Sequence, residues 1–128
     1  MKLLLDTCTF LWIAGKPSAL SLRAHELFQS PDHEVYLSAA SAWEIVTKHG
    51  LGRLPLPEPP ERLVPRLRDF HGIEPLPIDE ESVLQVSRLP ALHRDPFDRL
   101  LVCQAIVHGM TLLTPDGLIA QYPARVIW

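Results

Sequence analysis

The chain has 128 residues, 47% of them apolar, with a formal net charge of −3, two cysteines and 13 prolines. That is enough chain for one domain around one core, spanning residues 1–128, and too little for a second. The charge argues against a broad basic face that grips nucleic acid through many phosphate contacts. It does not argue against nucleic-acid chemistry, because carboxylates that hold divalent cations add to the negative count.

No apolar stretch approaches the ~18 residues of a membrane span, and Leu3-Leu4-Leu5 is short of the ~7–15 residues of a signal-peptide core. The expectation is a soluble, cytoplasmic protein. Cys8 and Cys103 belong to no CxxC pair, so they are expected to be free, largely buried thiols without chemistry.

Lys2 to Leu5 reads as a buried strand, and Asp6-Thr7 then opens a helix through Leu11 and Trp12. Gly15-Lys16-Pro17-Ser18 breaks that helix, and a second one follows with Leu20, Leu22, Ala24, Leu27 and Phe28 on its buried side, ending near Ser30. Glu34 to Leu37 is a second strand. Ser38 opens a third helix, which Gly50 and Gly52 stop.

The proline-rich run from Leu54 to Pro60 is an extended connector, since proline fixes φ and has no amide donor. Leu63, Leu67 and Phe70 mark an amphipathic helix weakened by Pro65 in its first turns. Ile73 to Ile78 holds a short strand, and Asp79 caps a helix over Glu80 to Val86. Pro96 begins a longer helix that runs to His108, with Gly109 as its stop. Met110 to Thr114 is a strand, Pro115-Asp116-Gly117 a turn, and Arg125 to Trp128 a last strand. Strands alternating with helices imply an α/β fold with a mainly parallel sheet and a site at the carboxyl ends of its strands.

Two acids, Asp6 and Asp116, would project into such a crevice if their strands are neighbours, and these and two further acids each have a structural reading. Asp6 and Asp116 follow strands, but Asp6 also suits an N-cap and Asp116 a turn. Glu44 lies three residues after Ser41, as in a capping box. Asp98 sits in the first turn of a helix that Asp95 would cap, where a carboxylate suits the helix dipole and can also bind a cation. If the acids converge, their mutual repulsion without metal should raise their pKa values.

Other signals carry less. His93-Arg94-Asp95 matches a kinase catalytic loop only by chance, because no glycine-rich loop is present and the chain is too short. The six histidines show no metal-ligand spacing and read as surface or helix-end residues. Trp12 and Trp43 read as core packing rather than base-stacking platforms.

Taken together, Leu4-Leu-Asp-Thr7, Leu37-Ser-Ala-Ala-Ser-Ala-Trp-Glu-Ile45, Asp95-Pro-Phe-Asp-Arg-Leu-Leu101 and Leu112-Leu-Thr-Pro-Asp116 form a recognisable series. The chain resembles PIN-domain proteins of the VapC type, the ribonuclease toxins of type II toxin–antitoxin pairs, from Met1 to about Tyr122. The resemblance implies a three-layer α/β/α PIN-like domain and an endoribonuclease dependent on Mg²⁺ or Mn²⁺. It further implies a homodimer and inhibition by a cognate antitoxin protein.

Carried over residue by residue, the family's acids fall on Asp6, Glu44, Asp98 and Asp116 as catalytic and metal-holding residues. Asp95 is the alternative third acid; Asp98 is preferred because the family's acid precedes a helix with a small residue seven positions on, here Ala105. Thr7 and Thr114 are placed to support the site, and Lys48 and Arg99 to contact the RNA backbone. Cys8 departs from the His that close relatives often carry after Asp-Thr. The competing expectations are an inactive PIN-like binding module and a metal-dependent DNA nuclease or phosphatase.

Overall fold

Leu3, Leu4 and Leu5 have no solvent exposure because the strand that carries them, β1 (Lys2–Leu5), lies in the middle of the sheet and is covered on both faces. The computed structural model describes all residues from 1 to 128. On one side β1 pairs with β2 (Glu34–Ser38), which pairs with β3 (Glu74–Leu76). On the other side it pairs with β4 (Thr111–Leu113), and β4 pairs with β5 (Arg125–Ile127). All pairings are parallel, giving the order β3-β2-β1-β4-β5. The chain builds outward from β1 in one direction and then returns to its other side, so the topological switch lies between β1 and β4.

Alternation along the strands divides the core into two layers. Leu3 and Leu5 join Val35, Leu37 and Leu113 against Phe10 and Ile13 of α1 (Thr7–Gly15), Ala24 of α2 (Leu22–Gln29) and Val64 of α4 (Pro60–Phe70). Leu4 and Leu112 face the other way, onto Leu101, Val102 and Ala105 of α6 (Pro96–His108). The helix α3 (Ala39–Gly50) contributes Ala40 to that layer and Ile45 to the first one, so it straddles the carboxyl end of the sheet.

Pro65 does not break α4, because it lies on the exposed side, where the carbonyl it leaves unpaired one turn earlier can be hydrated. Asp79 caps α5 (Glu80–Gln85), which is one residue shorter than expected and passes into a 3₁₀ turn at Val86. Burial alone would raise the Asp79 carboxyl. Hydrogen bonds from His108 and Ser82 outweigh that and hold it well below the usual carboxylate range.

The helix that positions the third acid is fixed at both ends. Asp95 caps α6 by accepting from Phe97 N–H at 2.9 Å, Pro96 takes the first helical position, and Gly109 closes the helix at φ 65°. Nothing lies within 4 Å of a methyl group placed on Gly109, so Gly109→Ala meets only the left-handed backbone penalty. It should cost about 1 kcal/mol in a urea midpoint measurement. No helix is long and apolar enough to cross a membrane.

Candidate active site

The register of β1 and β4 places Leu5 opposite Leu113, so Asp6 and Thr114 leave the sheet side by side. Asp6 has extended backbone and caps α1, its Oδ1 accepting from Thr9 N–H at 2.9 Å. Its Oδ2 accepts from the Thr114 hydroxyl at 2.5 Å, and Thr114 Oγ1 in turn accepts from Asp116 N–H at 3.1 Å. The hydroxyl thus orders the acids that follow both strands. Asp116 Oδ1 accepts from Leu118 N–H at 2.8 Å, which is the expected turn geometry. The structural readings of Asp6 and Asp116 hold, and both residues line the same cleft, so capping and site membership coexist.

Glu44 enters that cleft from α3 with only 4% of its surface exposed. No capping box forms with Ser41. Ser38 caps α3 instead, accepting from Ala40 N–H at 3.0 Å, while Ser41 Oγ is buried without a partner. Glu44 is therefore free of the helix end: its Oε1 accepts from the Thr7 hydroxyl at 2.5 Å and its Oε2 from the Lys48 ammonium. That hydrogen bond is also the main reason the Lys48 pKa is raised.

Asp98 faces the cleft from the first turn of α6. Burial, followed by the nearby charges of Asp95 and Glu44, pushes its carboxyl up to about 7. Asp116 moves the other way. Burial would raise it, but the hydrogen bonds from His93 and Leu118 N–H bring it below its ordinary value. The expectation of raised acids thus holds at Asp98 and is reversed at Asp116, where His93 supplies the missing partner.

The cleft has a volume of about 250 Å³ and is lined by Asp6, Glu44, Asp98 and Asp116, with Thr7, Lys48 and Asp95 beside them. Hard oxygen donors of this kind suit Mg²⁺ or Mn²⁺, and Asp98 Oδ1 accepts no hydrogen bond, so the donor set fits such a cation. Asp95 lines the rim while its side chain caps α6.

Three sequence expectations are corrected here. Arg99 does not line the cleft; its Nη2 donates to the Val86 carbonyl at 3.1 Å, and its Nε is buried without a partner. Trp43 is not core: its side chain stands 59% exposed, next in sequence to Glu44, with its ring edge-to-face on Phe97 at 4.9 Å. His93 is neither a surface nor a helix-end residue. Its Nε2 lies 3.0 Å from Asp116 Oδ2 and 3.2 Å from Asp98 Oδ2. The available signal was its place in the loop entering α6, two residues before the capping Asp95 and five before Asp98.

Cys8 borders the acids, its thiol directed at both Asp6 oxygens at 3.4–3.5 Å. Burial first, then the Asp6 charge, pushes it up to about 12. Cys103 is fully buried in α6. At pH 8 a thiol reagent such as Ellman's should therefore titrate neither cysteine rapidly in the folded protein and both after denaturation.

Comparison with known proteins agrees with this architecture. The PIN domain profile matches residues 3–124. Ribonuclease VapC16 of Mycobacterium tuberculosis is 43% identical over 53 residues, which make up 41% of this chain and 38% of that protein, well under half of its length. Among solved structures, VapBC2 from Rickettsia felis bound to a DNA fragment from its promoter superposes with a TM-score of 0.71 at 17% identity, covering 99% of this chain and 98% of that chain. The DNA-bound VapBC of Salmonella typhimurium gives 0.64 at 19% identity, with coverages of 99% and 97%. With the profile matched across nearly its whole length and the fold shared with these structures, the chain belongs to the PIN-domain family.

Proposed function

We propose that this chain is a metal-dependent endoribonuclease and the toxin of a toxin–antitoxin pair. The observation that carries the reading is the convergence of Asp6, Glu44, Asp98 and Asp116, from four separate segments, on one cleft at the carboxyl end of a parallel sheet. Those four residues would hold Mg²⁺ or Mn²⁺. Bound there, the cation supplies activation of water and neutralisation of charge on the phosphodiester during in-line attack.

The chain's own groups do the rest. Thr7 and Thr114 fix one oxygen each of Glu44 and Asp6, which orients the carboxylates before anything binds. Lys48, held by Glu44 at the cleft edge, offers its remaining N–H donors to the RNA backbone. No side chain is required as a nucleophile. Arg99 does not line the cleft and its Nη2 donates to the Val86 carbonyl, so no RNA contact is assigned to it.

The partner is inferred from the similar proteins, which were solved as VapBC complexes. A small antitoxin covering the cleft, a homodimer of this chain and a cytoplasmic site of action complete the reading.

The test is incubation of purified, antitoxin-free protein with total cellular RNA in Mg²⁺ or Mn²⁺, with and without EDTA. Cleavage that EDTA abolishes is expected. Cation-dependent cleavage of DNA but not RNA would favour a DNA nuclease, and a folded protein that cleaves neither would favour a binding module.

A further inference from the structure

The ring of His93 sits between two of the four acids, and the set His93, Asp98 and Asp116 could itself be taken for a three-ligand metal site, its donor atoms all within 4.8 Å of one another. The far side of the ring decides otherwise. The backbone N–H of Asp95 donates to His93 Nδ1 at 3.1 Å. A backbone N–H can only donate, so Nδ1 presents its lone pair and the ring proton is assigned to Nε2. An Nε2–H has no lone pair to offer a cation. For Nε2 to become a ligand, the proton would have to move to Nδ1, setting donor against donor across the same 3.1 Å.

We propose that His93 is a positioning residue of the acidic site, donating through Nε2–H to Asp116 from behind with Asp98 Oδ2 held 3.2 Å from the same nitrogen, and that it is not a ligand of the cation. The inference rests on the metal-dependent reading above.

The surroundings of His93 support this role. Its side chain is 14% exposed and does not line the cleft, and its backbone N–H donates to the hydroxyl of the buried Tyr122 at 2.8 Å. The loop is therefore held against the fold at two points. Asp98 and Asp116 belong to different segments, the first turn of α6 and the turn after β4. The Nε2–H donates to Asp116 at 3.0 Å and stands 3.2 Å from Asp98 Oδ2, so one ring nitrogen bridges the two segments. Only one oxygen of each acid lies against the ring, and both acids line the cleft. The pattern extends a set in which Thr7 serves Glu44, Thr114 serves Asp6 and His93 serves Asp116, with Asp98 beside the same ring nitrogen. Asp95 thereby acts twice, since its carboxylate caps α6 while its N–H sets the tautomer of His93.

The first test needs no metal. Nitrogen-15 NMR of the His93 ring in metal-free protein should show Nδ1 unprotonated and Nε2 protonated; the opposite tautomer would overturn the proposal. The second is titration with MnCl2, followed by calorimetry and EPR, of wild type, His93→Ala and His93→Gln. His93→Ala should weaken Mn²⁺ binding by roughly 10–100-fold, and His93→Gln, which keeps an N–H donor, should recover part of that loss. Pulsed EPR of the Mn²⁺-loaded wild type should show no directly bound nitrogen.

A nitrogen coupling that disappears in His93→Ala would make His93 a ligand and overturn the proposal, as would unchanged Mn²⁺ affinity in that variant. A wild type that binds no Mn²⁺ would overturn both this role and the metal-dependent reading. None of these readouts depends on RNA, so failure to cleave RNA with Mn²⁺ binding intact would bear on the ribonuclease assignment alone.

Discussion

Asp6→Asn should reduce cation-dependent RNA cleavage by roughly a thousandfold, because a carboxylate that helps hold the cation contributes several kcal/mol to the transition state and each 1.4 kcal/mol is about tenfold in rate. The variant should nevertheless fold. Asn is as good an N-cap as Asp, so its side-chain oxygen can keep the 2.9 Å hydrogen bond from Thr9 N–H. The Thr114 hydroxyl, which now donates to Asp6 Oδ2, can rotate to accept from the new amide. The urea midpoint should therefore move by no more than about 0.5 kcal/mol equivalent, within the range of changes that break no packing. Cleavage within tenfold of wild type would take Asp6 out of the site.

The second large effect is on stability. The Asp98 carboxyl is raised from 3.8 to about 7 in the folded, metal-free protein, so between those values the folded state holds a proton that the unfolded chain has already released. Stability contributed by the protonated acid is intact below about pH 4 and falls as pH rises to about 7. The lowered acids, Asp116 and Asp79, have the opposite sign, but their contribution is lost only as pH drops below the ordinary carboxylate range, outside this window.

Asp98→Asn, which cannot ionise, should thus be more stable than wild type at pH 8 by about 2 kcal/mol and nearly equal to it at pH 4, as read from urea unfolding in EDTA. Saturating Mg²⁺ should reverse the order at pH 8, since ligand at a hundred times its Kd adds about 2.7 kcal/mol to whichever protein binds it. Equal stability of the two metal-free proteins at both pH values would contradict the buried, crowded carboxyl seen here.

How far the sequence reveals this site depends on what holds each residue. Asp6 and Asp116 can be read because strand ends are local: a short apolar run stops, and the polar residues that follow, Asp6 after β1 and Thr114 to Asp116 after β4, must leave the sheet at its carboxyl edge. The cap at Asp95, the start at Pro96 and the stop at Gly109 are equally local, and they fix α6 to the residue. Glu44 is harder, because a serine three residues earlier offers it a plausible cap. Only the packing of α3 across the sheet end shows that Ser38 takes the cap and Glu44 turns to Thr7.

His93, Arg99 and Trp43 could not be placed for a related reason. Where each side chain ends depends on partners far along the chain or across a helix face: Asp116 for His93, the Val86 carbonyl for Arg99, Phe97 for Trp43. No local spacing encodes those contacts. The family resemblance supplied the four acids as a set with Thr7 and Thr114 beside them, but it did not supply His93, whose place belongs to this chain's own packing.

The hydroxyl of Thr114 and the carboxylate of Asp6 are 108 positions apart in sequence yet share one hydrogen bond. Such a contact forms only after a long loop has closed, and parallel pairing of distant strands is among the slowest events in folding. The order of the strands therefore ties the acidic cleft to the pairing of β1 with β4. A chain in which β1, β2 and β3 have already assembled still lacks Asp98, Asp116 and the donor for Asp6, and so has no cation site to lend it catalytic power. Partly folded or nicked molecules in which β4 is not docked beside β1 should therefore bind no cation.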